Sequence, residues 1–587
     1  MKREDIAEKY KWNLNRIVNG SDEFEKLFKD VESNVDACLK FKGKLNDFKV
    51  VERLLSVDTD LSIKLERLYC YAAMHSDEDV KDNFYLSLEA KVENLVTRYN
   101  SNNSFIIPEF LSYDDNLIND YIKRFSEHDK FFKDILREKK HILSYPEEKI
   151  LAKVSEVHSS FSSIFSILDN GDLNFPNIKY EDKSVKLTHG NYSLFLQNPI
   201  RNIRKQAYNK YYKTYRAYLQ TITAIYSGSL KKDCFSAKVR NFKSCLEKAL
   251  FFEDVSPVVY NNLIDSVSKN LKHLHEYVAF RKKTLNVEKL YMYDMYVPII
   301  DEARVELEYE DAFKLVTEGL LCLGQDYIDG INKSFSENYI DVFETENKKS
   351  GAYSNSCYGV FPYVLLNYQK TTHDVFTIAH ELGHSMHSYY SAKAQPYSKA
   401  NYTIFVAEVA STVNEVLLIK HILKTTADKN LKKFLLSYYL DMFRTTLFRQ
   451  TMFSEFEKIA HNLTEKNKPV NSESLSKEYL KLNKKYYGKD IVSDKNIAIE
   501  WCRIPHFYRS FYVYKYATGI ISAINIANQI LKDDNAVTNY KKFLCSGGSD
   551  SPVELLKIAG VDLETEKPFD FAMEEFNKTL TELKSLK

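Results

Sequence analysis

The sequence predicts a mainly α-helical protein of two lobes, on three observations. Only 16 Gly and 12 Pro interrupt 587 residues, so obligatory turns are few and elements run long. Apolar residues recur at helical spacing along most of the chain. Strand-like alternation is confined to two short patches, at 175–196 and 351–368. The 42 Tyr and 36 Phe carry strand propensity, but most fall in helix-spaced patterns, and periodicity outweighs propensity.

From Phe24 to about Asp129 the chain reads as successive amphipathic helices, with Leu54, Leu61, Ile63, Leu65, Leu68 and Tyr69 followed by Tyr85, Leu88, Val92 and Val96. Pro146, followed by two glutamates, opens a helix that runs to about Ile167. Asp169-Asn170-Gly171-Asp172 is a turn cluster, and Phe175 to Leu196 alternates with a second turn at His189-Gly190-Asn191, which predicts a small hairpin. That interruption separates an amino-terminal helical lobe, 1–196, from a larger region, 197–587, which opens with a basic helix from Arg201 to Tyr218. Within 351–368 the clearest strand is Phe361 to Tyr368, with Pro362 near its start, where an edge strand tolerates proline. Helices resume to the end, and Glu574 to Lys587 reads as a solvated helix.

Length and 44% hydrophobic content allow a large core and an enclosed site. A formal charge of +1 supplies no field for nucleic acid or an anionic membrane. No stretch approaches the roughly 18 apolar residues of a membrane span. The eight cysteines lie far apart without a Cys-x-x-Cys pair and read as free thiols, and MKREDIAEKYKWNL carries charges where a signal peptide needs an apolar core. Both favour the cytoplasm.

Chemistry concentrates at His380-Glu381-Leu382-Gly383-His384. At i and i+4 the two imidazoles lie about 6 Å apart along the axis on one helix face, within reach of a single Zn²⁺. Glu381 is rotated about 100° from His380, so it can hold a metal-bound water rather than the metal. The apolar flank Val375, Phe376, Ile378 and Ala379 buries the helix, and buried imidazoles beside a carboxylate need compensation. A zinc class that requires Gly at 387 and His at 390 is excluded by His387 and Tyr390. His387 itself would stretch one straight helix across about 10 Å of ligands, too far for one tetrahedral ion. A third ligand is therefore sought on a second helix, 405–415, where Glu408 and Glu415 share a face seven residues apart. Glu408 reads as a ligand or as an ion-pair partner; Glu415 reads as a carboxylate orienting a bound imidazole or as structural. In 504–519, Tyr508, Tyr512 and Tyr516 recur at i+4, a helical stripe that fits either an aromatic core or hydroxyl donors to an oxyanion.

These residues resemble the oligoendopeptidase F branch of the thimet oligopeptidase family of zinc peptidases. The resemblance rests on Gly351-Ala352-Tyr353 with the Pro362 to Tyr368 strand, His373-Asp374-Val375-Phe376 leading into HELGHSMHS, the AEVASTVNE helix, and IPHFYRSFYVYKYATG. It extends faintly to Leu290 to Asp294 with Val297-Pro298, to Gly547-Gly548 and to Ala559 to Asp562. It implies His380, His384 and Glu408 as ligands of one Zn²⁺, Glu381 as general base acting on a zinc-bound water, and Glu415 as a supporting carboxylate. It also implies His506, Tyr512 and Tyr516 as oxyanion or substrate contacts. Gly351, Ala352 and Tyr508 are further candidate substrate contacts, and the Gly351 and Phe361–Tyr368 strands could pair with a substrate backbone as an added strand.

The expectation is a two-lobed helical peptidase with a small β element beside the active-site helix and a deep channel. It would cut internal bonds of short unstructured peptides. Two alternatives stand beside it: an enzyme removing carboxy-terminal dipeptides, with Arg503 or Arg509 holding the terminal carboxylate, and a non-catalytic helical peptide-binding scaffold.

Overall fold

In the computed structural model, which describes residues 1–181, 183–300 and 307–586, local sequence signals set most element boundaries. Asp47 caps α1 (Phe48–Glu78) by accepting the Lys49 N–H at 2.8 Å, and Asp82 caps α2 (Asn83–Asn103). Their inward faces bury Leu54, Leu61, Leu65, Leu68, Leu88 and Val92, whereas Tyr69 turns outward. A capping box between Ser144 and Glu147 starts α3 (Tyr145–Ile167). The following Asp-Asn-Gly-Asp cluster winds into one π-helical turn, Leu168–Asp172, and Asp169 accepts the Tyr215 hydroxyl at 2.6 Å.

The expected hairpin is half right. β1 (Asn177–Tyr180) pairs antiparallel with β2 (Lys183–Lys186), Ile178 opposite Val185. The second turn instead opens a helix, α4 (His189–Gln197). Thr188 accepts the Asn191 N–H at 3.2 Å while Asn191 accepts the Thr188 N–H at 2.8 Å, a reciprocal cap that outweighs the turn preference of Gly190. The basic helix follows as α5 (Arg201–Ala217), and Arg201 and Arg204 both bind buried Asp294 at 2.9 Å.

The second patch forms a three-stranded sheet, with β3 (Ile340–Asp341) parallel and β4 (Tyr353–Asn355) antiparallel to β5 (Tyr363–Leu365). β5 is therefore the central strand, not an edge, and Pro362 stands just outside it. Next come α6 (Thr372–Ala394), α7 (Ile404–Thr425), α8 (Arg449–Glu465), α9 (Tyr514–Ile530) and α10 (Lys567–Ser585). α10 is not solvated all round; it buries Phe569, Met573, Phe576 and Leu580. Asp182, in the expected hairpin, and Lys587, at the expected carboxy-terminal helix end, lie outside the described residues.

Packing divides the chain into two compact units, each built from three segments. The first comprises Met1–Lys140, Arg304–Lys424 and Ile526–Val561; the second comprises His141–Ala303, Thr425–Asn525 and Asp562–Lys587. The first has a core of Cys38, Phe41, Leu45, Val51, Phe110, Tyr121 and Phe132, and it also holds α6, whose Val375, Phe376, Ile378 and Leu382 are buried. The second is rich in tyrosine, and several of its buried hydroxyls find partners: Tyr208 donates to Asp494 at 2.8 Å, Tyr260 to the Ser454 carbonyl at 2.7 Å and Tyr479 to Glu500 at 2.5 Å. Among the described residues no helix is long and apolar enough to cross a membrane, and all eight cysteines are free.

Candidate active site

α6 starts where Thr371 and Asp374 cap each other, at 2.9 and 3.2 Å, and it buries Val375, Phe376, Ile378, Ala379, Leu382 and Met386. The i, i+4 spacing then brings His384 Nε2 to 3.2 Å from His380 Nε2. Glu408 Oε2, from α7, lies 3.5 Å from the His380 nitrogen and 3.7 Å from the His384 nitrogen. Donors held 2.0–2.1 Å from a tetrahedral ion stand about 3.3 Å apart, so this triangle fits one metal, and two imidazoles with a carboxylate suit zinc.

Three contacts hold α7 at that distance. Gly383 abuts it: a Cβ there would lie 2.5 Å from Ser411 Cα, 2.7 Å from the Ala410 carbonyl oxygen and 2.8 Å from the Ser411 nitrogen. Asn414 donates to the Ala379 carbonyl at 3.0 Å and accepts the Tyr327 hydroxyl at 3.0 Å. His380 Nδ1 donates to Glu415 Oε1 at 2.6 Å, which in the neutral ring places the lone pair on Nε2, facing His384 and Glu408. The His384 ring hydrogen-bonds to the backbone of Ala407. Sequence periodicity found Glu408 and Glu415 but missed Asn414 and the role of Gly383. A glycine costing about 1 kcal/mol in a helix interior was the available signal for the latter.

Electrostatics point the same way. Burial lowers the His380 pKa, but Glu408 and Glu415 outweigh it and push the ring up to about 10. Burial and the His380 charge drive its neighbour His384 down to about 4. The two carboxylates thus demand one cation among the imidazoles. Glu381, 7% exposed, is raised by burial to about 7 against the pull of His380, and it accepts a backbone hydrogen bond from Ser354 of β4. A carboxylate titrating near neutrality suits proton transfer. His387 is not part of the triangle. It stacks on Tyr402 with ring centroids 3.7 Å apart, burial depresses it to about 3, and neither ring nitrogen has a partner.

His380, Glu381, His384 and Glu408 line a cavity of about 500 Å³, with Ala352, the β4 residues Tyr353 to Asn355, and Glu66, Tyr358 and Tyr397. No lysine or arginine is among its described lining residues. Gly351 is not in that lining. At φ +89° it turns the chain into β4, and its carbonyl accepts from Asn367 at 2.7 Å.

The tyrosine segment lies in the second unit, and its helical stripe does not exist. Pro505–Tyr508 is a 3₁₀ turn, Phe511 sits at φ +53°, and α9 begins only at Tyr514. The Phe511 N–H donates to Glu457 at 3.0 Å and Ser510 to Asp233, so contacts distant in sequence hold the turn. The turn nevertheless gathers His506, Tyr512 and Tyr516, with ring centroids 5.5 to 6.0 Å apart. Tyr508 diverges and stacks on Phe165 at 4.4 Å. Arg503 is tied to Glu500 at 2.9 Å, and Arg509 lies over the Tyr512 ring.

Sequence comparison matches residues 194–575 to Peptidase family M3 and residues 109–175 to Oligopeptidase F. Oligopeptidase PepF of Bacillus subtilis (strain 168) is 40% identical, covering 100% of this chain and 88% of its own. The Oligoendopeptidase F homolog of Borreliella burgdorferi is 38% identical, covering 100% and 99%. Among solved structures, oligoendopeptidase-F from Enterococcus faecium superposes with a TM-score of 0.74 at 33% identity, covering 96% of this chain and 99% of that one.

Proposed function

The chain belongs to peptidase family M3, within its oligopeptidase F branch, and we propose that it is a zinc-dependent endopeptidase acting on internal bonds of short unstructured peptides. The observation that carries this reading is the triangle of His380, His384 and Glu408 beside buried Glu381. One Zn²⁺ per chain, held by those three residues, would acidify water and polarise the scissile carbonyl. Glu381 takes the proton of the attacking water on its carboxylate and returns it to the leaving amine. The Ser354 N–H orients that carboxylate. Glu415 holds His380 in the tautomer the metal needs.

Both sides of β5 are occupied, so it cannot receive a peptide; among the described residues β4 pairs only with β5, and it lines the cavity. We assign to β4, entered through Gly351 and Ala352, the pairing with the substrate backbone, which reads length more than sequence. His506, Tyr512 and Tyr516 are the proposed donors to the developing oxyanion, supported by their mutual clustering. Tyr508 packs with Phe165 and Tyr226, so we assign it the support of that turn rather than a substrate contact. Among the described lining residues of the cavity there is no lysine or arginine to anchor a terminal carboxylate, and Arg503 is tied to Glu500, which favours endopeptidase over dipeptide removal. Eight free thiols support a cytoplasmic setting, with peptides as the partners rather than nucleic acid or membrane. As a division of sequence, a helical lobe at 1–196 and a catalytic region at 197–587 accord with a family match that begins at 194.

The test is Glu381→Gln. Zinc should stay at one per chain while hydrolysis of an internally quenched peptide blocked at both ends falls about 10²–10⁴-fold. Unchanged turnover, or a wild-type chain that binds no zinc, refutes the mechanism.

A further inference from the structure

The cavity at the metal-binding residues is also lined by an acid that the mechanism does not use, Glu66 of α1. One Glu66 oxygen accepts the Tyr358 backbone N–H, while Oε2 is buried with no partner. Burial raises its pKa, and the pull of the adjacent Arg67 is the smallest influence on it. Two aromatic rings line the same cavity beside it: Tyr358 and Tyr397, with centroids 5.3 Å apart and planes at 84°. Ser354 is held to α6 through Ser385 at 2.9 Å, and Tyr358 donates to the Gln395 carbonyl at 2.9 Å, so this wall is fixed from both sides. Glu66 and Tyr397 also line a second cavity, of about 600 Å³, with Tyr69, Glu93 and Tyr99.

A carboxylate oxygen buried without a partner is disfavoured unless a proton or a cation meets it. Carboxylate plus aromatic faces is the chemistry that receives an ammonium or guanidinium group, whose aliphatic stem packs on the rings. The described lining of the metal-site cavity contains no lysine or arginine to compete. We propose that Glu66, with Tyr358 and Tyr397, forms a subsite for one cationic group of the bound peptide, either a lysine or arginine side chain or the free α-ammonium. The subsite deepens the peptidase reading and rests on it: the metal triangle sets where the peptide is cut, and Glu66 sets which peptides are held.

The test measures binding in the zinc-loaded Glu381→Gln chain by fluorescence anisotropy. Peptides of one length carry lysine, norleucine or glutamate at each position in turn, with free or acetylated amino termini. At one position, or at the free amino terminus, the cationic peptide should bind at least about tenfold tighter than its neutral counterpart. Adding Glu66→Gln should bring that ratio to within twofold, Glu66→Asp should preserve most of it, and Glu66→Lys should favour the glutamate peptide. Loss of the preference on acetylation identifies the α-ammonium as the occupant; its persistence identifies a side chain, and either supports the subsite. A ratio that is the same with and without Glu66→Gln overturns it, as does the absence of a cationic preference in any peptide. Cleavage of the norleucine peptides by the wild-type chain is scored separately: failure there removes the peptidase reading, while the binding ratio still decides the subsite.

Discussion

Gly383→Ala should damage the metal site by moving a helix, although it adds only one methyl group. At a solvent-facing helix position this change stabilises by about 1 kcal/mol. Here the new Cβ would stand 2.5 Å from Ser411 Cα, with two further backbone atoms of α7 within 2.8 Å. Carbon atoms pack at about 3.5–4.0 Å, so α7 must retreat by about 1 Å or more, and backbone cannot rotate away as a side chain can. Glu408 and Glu415 both ride on α7. Metal-ligand distances tolerate only about 0.2 Å, so a retreat of that size detaches Glu408 from the triangle or strains the helix pair. The expected result is a stability loss of about 1–3 kcal/mol from overpacking and a zinc affinity at least about 100-fold weaker, comparable to the upper range for lost ligand support. Competition titration against a fluorescent chelator measures the affinity, and circular dichroism establishes that the variant is folded. A folded Gly383→Ala chain that binds zinc within twofold of wild type would refute the account of how the helices set the site.

Glu415→Gln keeps the shape but weakens the acceptor for His380 Nδ1, now at 2.6 Å; zinc affinity should fall about 10–100-fold in the same titration, and an unchanged value removes Glu415 from the site. Glu457, raised by burial to about 8, keeps its proton in the folded chain at neutral pH but loses it above about 4.3 when unfolded. Between those values the unfolded chain binds fewer protons, so wild-type stability should fall with rising pH by at most about 1.4 kcal/mol per unit, levelling above the folded value. His461, raised through Asp233 against its burial, adds to the decline because its share is also lost as pH rises. Asp233, held low, acts only below its unfolded value, near 3.9. Glu457→Gln should therefore gain on wild type from pH 5 to 8 in urea unfolding, and parallel curves for the two proteins would show that Glu457 is ionised.

How far the sequence could be read depended on whether the partners of a pattern shared one element. His380, Glu381 and His384 share α6, and Glu408 and Glu415 share α7, so helical periodicity alone placed them on usable faces. Gly383 carried a local cost without a local reason, because the reason lies in Ser411 on another helix. The tyrosine stripe failed for the same cause: Tyr508, Tyr512 and Tyr516 have helical spacing, but Glu457 and Asp233 hold Ser510 and Phe511 in a turn that contains neither glycine nor proline. At β5 the run from Phe361 to Tyr368 gave the right element and the wrong position, since centre or edge is decided by Ile340 and Tyr353, which pair with it from elsewhere in the chain. Glu66 is the extreme case. In sequence it is one polar position on an amphipathic helix, more than 300 residues before the histidines, and only tertiary packing brings it into their cavity. Residues proposed to perform the chemistry announce themselves because spacing that suits one metal falls within a helix, whereas those proposed to select the substrate are free to come from anywhere the fold delivers them. Specificity should therefore vary among chains that keep the His380, His384 and Glu408 triangle, through changes on the α1 wall of the cavity that leave the catalytic helices untouched.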